Sequence, residues 1–213
     1  MNLLSKFSTL GAVLVIATAF ASADTIQLGS YGTHQNAMGN QNNAMVFSGS
    51  ATNSFDIGTG GVWTAAGAGS SWVSQNVGNC PGCGNVEANG IYTFHTSFSL
   101  ASADYSGSIY VMADDTTDVL LNGHLLQDFA GGGNSTCQTL QPNCVTPLLV
   151  DIPEADLVAG LNTLTFDVHQ TDLSAEGLDF YGSISNVPEP STLFLLGTGL
   201  IGSAGAMFRR MRM

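Results

Sequence analysis

The feature that most constrains this chain is a series of short segments in which apolar and polar residues alternate. Residues 92–100 and 161–169 both place aromatic or aliphatic side chains at almost every second position. A period of two is typical of a β-strand with one buried face. Between these segments, Asn122-Gly123 is a dipeptide that favours a type I′ hairpin turn. Because no long helical periodicity interrupts the runs, the sequence predicts an all-β domain.

Ten segments are predicted to be strands, and several of them follow one another as a tight meander. They are residues 25–31, 44–48, 54–57, 92–100, 107–113, 118–121, 124–129, 148–152, 161–169 and 178–184. Residues 114–117 are predicted to be a turn in which Asp side chains bond backbone N–H groups. Residues 131–147 are predicted to be a long polar loop, and residues 154–158 a short turn.

The charges of the chain are segregated. Its four Lys and Arg residues all lie near the two ends, at Lys6, Arg209, Arg210 and Arg212. Of the 16 Asp and Glu residues, all except Glu189 lie between residues 24 and 187. An acidic segment without cations repels phosphate backbones and anionic headgroups, which argues against nucleic acid and direct lipid binding. Divalent cations are the natural counter-charge for such a segment.

The N-terminal end has the composition of a targeting segment. Lys6 precedes an apolar run at residues 10–20, and Ala21-Ser22-Ala23 is a small-residue cleavage site. This order predicts a secretory signal peptide at residues 1–23, with a helical apolar core, followed by an exported domain at residues 24–186. The apolar run is shorter than the ~20 residues of a membrane span.

The C-terminal segment, residues 187–213, combines a Pro-Glu-Pro motif, an apolar glycine-rich stretch at residues 193–208 and an arginine cluster. The motif residues are Val187, Pro188, Glu189, Pro190, Arg209, Arg210 and Arg212. As a helix the apolar stretch would extend about 24 Å, against a hydrocarbon core of ~30 Å. We expect a short transmembrane helix whose arginines stay in the cytoplasm, with the domain outside the inner membrane.

This three-part segment resembles the PEP-CTERM sorting signal of bacterial exported proteins. The resemblance implies a partner, an exosortase-type enzyme that acts near the Pro-Glu-Pro motif. It also implies transient anchoring in the inner membrane, with the cell surface or extracellular matrix as the destination. Release, transfer to another molecule and retention at the membrane stay open as fates of the C-terminus.

The four cysteines form two local pairs, Cys80/Cys83 and Cys137/Cys144. In an exported chain an even number of cysteines favours disulfides, and three connectivities are possible. Local pairing is favoured because each pair lies in its own loop rich in Gly, Asn or Pro. Two alternatives are a zinc site of four thiolates and redox chemistry at the Cys-Pro-Gly-Cys sequence.

Two segments in the middle of the chain follow one another in a recognisable order. Residues 113–123 contain Ala-Asp-Asp and then Val-Leu-Leu-Asn-Gly, and residues 160–168 read Gly-Leu-Asn-Thr-Leu-Thr-Phe-Asp-Val. This order is similar to that of galactose-binding-like jelly-roll domains. The resemblance implies a β-sandwich over residues 69–185 and a carbohydrate ligand, such as extracellular polysaccharide, held by loops at one end.

Aromatic residues are the first candidates for a ligand site. Trp63 and Tyr105 are candidates for stacking on a sugar ring, and packing in the core is the alternative for each. Trp72 matches a position that packs inside the domains it resembles, so we expect it in the core.

Carboxylates are the second group of candidates. Asp114, Asp115 and Asp118 form the densest cluster and are candidate calcium ligands, because Ca²⁺ takes six to eight oxygen ligands. The alternative is a solvated turn whose Asp side chains cap backbone donors. A more dispersed second set comprises Asp167, Asp172, Glu176 and Asp179.

No motif of a known catalytic type stands out in the sequence. It contains no His-Glu-x-x-His zinc motif, no Gly-x-Ser-x-Gly elbow and no phosphate-binding loop. We therefore expect a non-catalytic exported protein of the cell surface or polysaccharide matrix, with weak glycan binding and with calcium as the only candidate cofactor. The alternatives are a calcium-dependent structural or adhesion protein, and a polysaccharide hydrolase with two carboxylates across a cleft.

Overall fold

The computed structural model of the protein describes residues 23–33, 47–48, 52–84, 86–128, 141–171 and 173–186, together with Gly197, Gly199 and Arg210. The signal peptide predicted at residues 1–23 lies outside the described residues except for its last residue. The membrane span predicted at residues 193–208 also lies outside them, except for its first two glycines. Among the described residues, no helix has the length and apolar character needed to cross a membrane.

The described residues contain twelve strands, all of them in the compact unit Ala23–Val187. In chain order they are β1 (Thr25–Gly29), β2 (Phe47–Ser48), β3 (Thr52–Asn53), β4 (Phe55–Asp56), β5 (Val73–Ser74), β6 (Gly90–Leu100), β7 (Tyr105–Asp114), β8 (Thr116–Leu121), β9 (His124–Gln127), β10 (Leu148–Ile152), β11 (Gly160–Gln170) and β12 (Gly177–Asn186). One 3₁₀ turn, Glu154–Asp156, lies inside the turn predicted at residues 154–158.

The strands form two six-stranded antiparallel sheets. The first has the order β10–β7–β12–β5–β4, with β1 paired along β12 beyond the β5 contact. The second has the order β3–β2–β6–β11–β8–β9. Because β7 and β8 are consecutive but belong to different sheets, the chain crosses from one sheet to the other at the single residue between them.

The two sheets pack face to face around one large hydrophobic core. Side chains at every second position of β6 and β11 point inward, as the alternation predicts: Phe94, Phe98 and Phe166 are all buried. Phe166 of the second sheet stacks on Phe180 of the first with ring centroids 4.5 Å apart. Burial of one such ring is worth about 2–3 kcal/mol, so the alternating strands hold the sandwich together.

A second, smaller cluster lies outside this core, on the outer face of the first sheet. Trp63 and Trp72 pack together with ring centroids 4.4 Å apart, and Met112 of β7 lies against them. The chain from residue 57 to residue 72 therefore covers part of the outer face of the first sheet rather than projecting into solvent.

The hairpin prediction is confirmed. Asn122 and Gly123 both have positive φ, 52° and 84°, as a type I′ turn requires, and they join β8 to β9. Strand β10 has the bounds predicted for it.

One prediction of local structure is wrong. Residues 114–117 do not form a four-residue turn, because β7 continues through Asp114 and β8 begins at Thr116. The Asp115 N–H donates to the His169 carbonyl, which keeps the crossover paired. The strand predicted at residues 54–57 is present as the shorter β4, and strands β3 and β5 were not predicted. These three strands have two residues each and are too short to carry a period-two pattern.

Candidate functional site: a buried acidic cluster

One end of the sandwich gathers acidic side chains from several strand ends. Asp114 ends β7 and pairs with Gly177 at the start of β12. Asp115 follows directly, and Glu176 immediately precedes β12. All three carboxyl groups are buried, with residual exposures of 4%, 1% and 0%. We call this set, Asp114, Asp115 and Glu176, the acidic cluster.

Asp114 and Asp115 are each held on one side only. The indole N–H of Trp63 donates to Oδ2 of Asp114 at 2.8 Å. The backbone N–H of Thr171 donates to Oδ2 of Asp115 at 2.7 Å, and the Thr171 hydroxyl donates to the same oxygen. The two carboxyl groups also lie within hydrogen-bonding reach of each other. Two buried acids therefore face one another.

Glu176 is anchored by neutral donors. Its Oε2 accepts from the Ser74 hydroxyl at 2.8 Å and from Nδ2 of Asn79 at 3.0 Å. Nδ2 of Asn79 also reaches the Glu176 carbonyl at 3.1 Å. Because Ser74 ends β5, this network fastens the loop after β5 to the start of β12.

Burial dominates the protonation of the cluster. Burial, together with the hydrogen bond and charge of Asp115, raises the pKa of Asp114 to about 8. Burial likewise raises the pKa of Glu176 to about 8, against the lowering effect of its hydrogen bonds from Ser74 and Asn79. A charged carboxyl taken out of water is strongly disfavoured unless a partner compensates it, so the proton stays on at neutral pH.

Several oxygens of this region have no hydrogen-bond donor. They are Oδ1 of Asp114, Oδ1 of Asp115, Oε1 of Glu176, Oδ1 of Asn79, Oγ1 of Thr116 and Oε1 of Gln170. Buried polar atoms in folded proteins nearly always have a partner, so such a concentration at one end of the fold calls for an explanation. Protons shared between the acids satisfy some of these oxygens, and a bound cation would satisfy more of them.

The three predicted calcium ligands are not brought together as one group. Asp114 and Asp115 lie side by side, whereas Asp118 lies on the outer face of β8, with Oδ2 3.1 Å from Nε2 of His169. Asp118 is also directly opposite Asp167 of β11. Within the described residues, no three His, Cys, Asp or Glu side chains are grouped as metal ligands. Asp172 lies outside the described residues.

Both candidate ring-stacking residues are buried, so neither presents an exposed platform to a sugar ring. Trp63 is 4% exposed because it packs on Trp72 and donates to Asp114. Tyr105 is 2% exposed, and its hydroxyl donates to Oδ2 of Asp24 at 2.9 Å. The alternative, packing in the interior, holds for both rings. Trp72 is buried as predicted.

The local pairing of Cys80 with Cys83 is confirmed by a disulfide with a Cα–Cα distance of 5.3 Å. Cys144 is also disulfide-bonded and is fully buried against the Trp63–Trp72 cluster. Cys137 lies outside the described residues. The first disulfide closes the loop directly after Asn79, so it restrains the residue that reaches Glu176.

The partners of the acidic cluster were not predicted from the sequence. Asn79 and Ser74 carry no motif, and Asn79 is 97 positions from Glu176 in the chain. Thr171 is 56 positions from Asp115. One local signal was available: Asn79 lies in a Gly- and Asn-rich stretch, and Asn side chains commonly hydrogen-bond the backbone in turns.

The fold and the cluster together define a class: an all-β sandwich of two sheets with a buried acidic cluster at one end. Residues 186–210 match a protein-family model described as the PEP-CTERM protein-sorting motif. The motif indicates an exported protein sorted by a C-terminal signal, and it implies processing by an exosortase-type enzyme. Of the residues with expected sorting roles, Arg210 alone lies within the described residues. No curated protein matches the chain.

Proposed function

We propose that this protein is an exported, non-catalytic β-sandwich of the cell surface or extracellular polysaccharide matrix. The observation that carries the proposal is the match of residues 186–210 to the PEP-CTERM protein-sorting motif. In this account, residues 193–208 hold the chain in the inner membrane after export. An exosortase-type enzyme then acts near Pro188-Glu189-Pro190, and the sandwich reaches its destination.

The charge of the exported part supports an extracellular role away from anionic partners. Residues 24–187 contain no Lys or Arg. Such a surface cannot neutralise phosphates, so nucleic acid is not among the proposed partners. Solubility outside the cell then rests on carboxylates and on neutral polar side chains.

The finer part of the fold proposal is a galactose-binding-like jelly roll. Its support is that the two segments carrying the resemblance are neighbours in space. Strand β8, which leads into the Asn122-Gly123 turn, pairs with β11 along residues 164–169. Glycan binding is proposed because the domains that these segments resemble often bind carbohydrate.

The test of the main proposal is a change in the sorting motif. Replacement of Pro188, Glu189 and Pro190 by alanine should leave the protein in the membrane fraction, at a mass that includes Arg209–Arg212. Replacement of Ser191 and Thr192 by alanine is the matched control and should leave sorting unchanged. Normal release of the Pro-Glu-Pro variant would reject processing through this motif.

A second candidate function is a calcium-dependent structural or adhesion protein of the matrix. The observation that favours it is the pair of facing acids, Asp114 and Asp115, whose Oδ1 atoms have no donor. Calcium binds carboxylate, amide and hydroxyl oxygens, and extracellular modules bind it at roughly 10⁻⁴–10⁻³ M. Neighbouring oxygens of Thr116 and Gln170 also lack donors, so the region offers the required ligand type.

Calcium dependence is tested by thermal unfolding in millimolar Ca²⁺ and in chelator. If the concentration is about ten times the dissociation constant, linkage predicts a rise in the melting temperature of about 3–6 °C. Asp115→Asn should remove the rise, whereas Asp104→Asn, at an exposed position, should keep it. Identical melting temperatures in both buffers would exclude calcium as a ligand of the native state.

A further inference from the structure

The outer face of the first sheet is divided into a covered half and an open half. The covered half lies under the Trp63–Trp72 cluster, which rests on Met112 of β7. Directly beyond Met112 on the same face of β7 comes Tyr110, which is 42% exposed. Tyr181 of β12 lies opposite Tyr110 in the sheet register. The boundary between the halves is therefore a pair of tyrosines.

This tyrosine pair has a fixed geometry. The two rings are stacked with centroids 5.3 Å apart and planes 24° from parallel. Tyr181 is held from its other side by the chain at Gly67, where even a Cβ atom would overlap the ring. Gly67 is itself fixed, because its N–H donates to Oδ2 of Asp179 at 3.0 Å. Tyr110 is thus an exposed ring on a rigid support.

The residues beside the pair complete a surface of mixed character. Leu149 of β10 lies opposite Tyr110 on the other side and is 49% exposed. The next row of the same face, two residues along each strand, contains Asp151, Ser108 and Ser183. Flat apolar surface therefore adjoins hydroxyl and carboxylate groups at the spacing of neighbouring strands, about 5 Å.

The chemistry of this surface selects its occupant. The aromatic face is electron-rich and attracts polarised C–H groups, and the adjacent row can exchange hydrogen bonds with hydroxyls. The body of the protein has no Lys or Arg, so acidic polysaccharides, nucleic acids and anionic lipids find no counter-charge there. The apolar part of this surface consists of Tyr110, Tyr181 and Leu149. It is far too small for a stable protein interface, which needs about 800 Å² per partner. A neutral polysaccharide fits all three conditions.

We propose that the outer face of the first sheet binds a neutral polysaccharide, with one sugar ring stacked on Tyr110 and its hydroxyls bonded by Ser108, Ser183 and Asp151. The inference rests on the proposed function, because it supplies the contact by which an exported protein would stay in a polysaccharide matrix. It moves the binding site from the loops at one end of the sandwich to the open half of a sheet.

The test is affinity electrophoresis of the exported protein through gels that contain a neutral polysaccharide, such as dextran, mannan or galactomannan, or acidic alginate. At least one neutral polysaccharide should retard the protein. Tyr110→Ala should weaken that retardation about tenfold, and Tyr110→Phe should keep most of it, because the ring and not the hydroxyl makes the stacking contact. Ile91→Ala, at an exposed position of the second sheet, is the matched control and should behave as the wild type.

Three results would overturn the inference. If no neutral polysaccharide retards the protein, the proposed ligand class is wrong. If Tyr110→Ala is retarded as strongly as the wild type, Tyr110 is not part of the binding site. A dimer of the exported protein that Tyr110→Ala converts to monomer would assign the face to a second copy of the chain. Each of these results leaves the sorting of the protein untouched, since sorting is read from the Pro-Glu-Pro variant.

Discussion

Two buried acids on the same sheet are satisfied in opposite ways. Asp179 in β12 accepts from the Ser30 hydroxyl at 3.1 Å through Oδ1 and from the Gly67 N–H at 3.0 Å through Oδ2. Burial raises its pKa, and these hydrogen bonds oppose the rise. Asp114, at the end of neighbouring β7, faces another acid, and its Oδ1 has no donor. One carboxyl group is complete within the fold and the other is not.

The contrast follows from the composition of the exported part. With no Lys or Arg between residues 24 and 187, a buried acid cannot form an ion pair with either residue. Apart from a histidine, which Asp118 has in His169, it has three remaining ways to be satisfied: neutral hydrogen-bond donors, a proton, or a cation from outside. Asp179 uses the first, and the acidic cluster depends on the second or third. The cluster is therefore the part of the sandwich that responds to solution conditions.

The largest expected effect is the loss of stability on removal of Asp179, whose two carboxyl oxygens both have hydrogen-bond donors. Asp179→Ala removes the acceptor of the Ser30 hydroxyl and of the Gly67 N–H and frees the chain at Gly67, so we expect a loss of about 3 kcal/mol in the free energy of unfolding. For a domain of this size that lowers the melting temperature by about 6–12 °C. Asp104→Ala, at an exposed position, is the control and should change stability by less than about 0.5 kcal/mol. A small effect of Asp179→Ala would remove the distinction between the two acids.

The second effect is a pH dependence carried by the acidic cluster. The pKa values of Asp114 and Glu176 are raised to about 8, whereas these groups titrate near ~4 in an unfolded chain. Between these values the folded state binds more protons than the unfolded state, so the free energy of unfolding falls as the pH rises. Each proton contributes about 1.4 kcal/mol per pH unit, so in chelator we expect a fall approaching about 2.7 kcal/mol per pH unit between about pH 5 and 7, measured by urea unfolding.

Glu176→Gln is the variant that sharpens this pH test. It replaces the ionisable carboxyl by a neutral amide, whose oxygen can still accept hydrogen bonds from Ser74 and Asn79. The pH dependence of unfolding should become shallower while the fold is kept. A free energy of unfolding that rises with pH over this range would contradict the protonated cluster.

The smallest expected effect has the opposite sign to the first. Asp114→Asn supplies an N–H donor to the carboxyl of Asp115 and removes the need for a proton. In chelator at pH 7 we expect a gain of about 1–2 kcal/mol in the free energy of unfolding. Destabilisation of more than about 1 kcal/mol would mean that the carboxyl group of Asp114, like that of Asp179, already has all the hydrogen-bond partners it needs.

The sequence predicts the regular part of the fold because that part is encoded locally. The alternation in β6 and β11 and the Asn122-Gly123 hairpin lie within runs of about ten residues, and each is found as predicted. Both carry their own periodicity or turn chemistry. Such elements need no knowledge of their partners.

The candidate site is not encoded locally. Trp63 lies in a stretch of Gly, Ala and Thr without periodicity, and its contact with Asp114 spans 51 positions. The Asp-Asp pair was recognised as a cluster, but its burial depends on that distant ring. The sequence shows Asp114, Asp115 and Asp118 close together in the chain. The structure is needed to see that Asp118 lies on the outer face of β8 whereas Asp115 is buried. The tyrosine pair was missed because its two members come from β7 and β12, 71 positions apart in the chain.

The most direct measurement of the central claim is the intact mass of the exported protein from its native host, before and after reduction. The account predicts a chain that begins near Asp24 and ends near Pro188–Pro190, with four cysteines oxidised. It would be contradicted by a chain that retains Arg209–Met213, which would make the sandwich a permanently tethered membrane protein and remove the matrix as its destination.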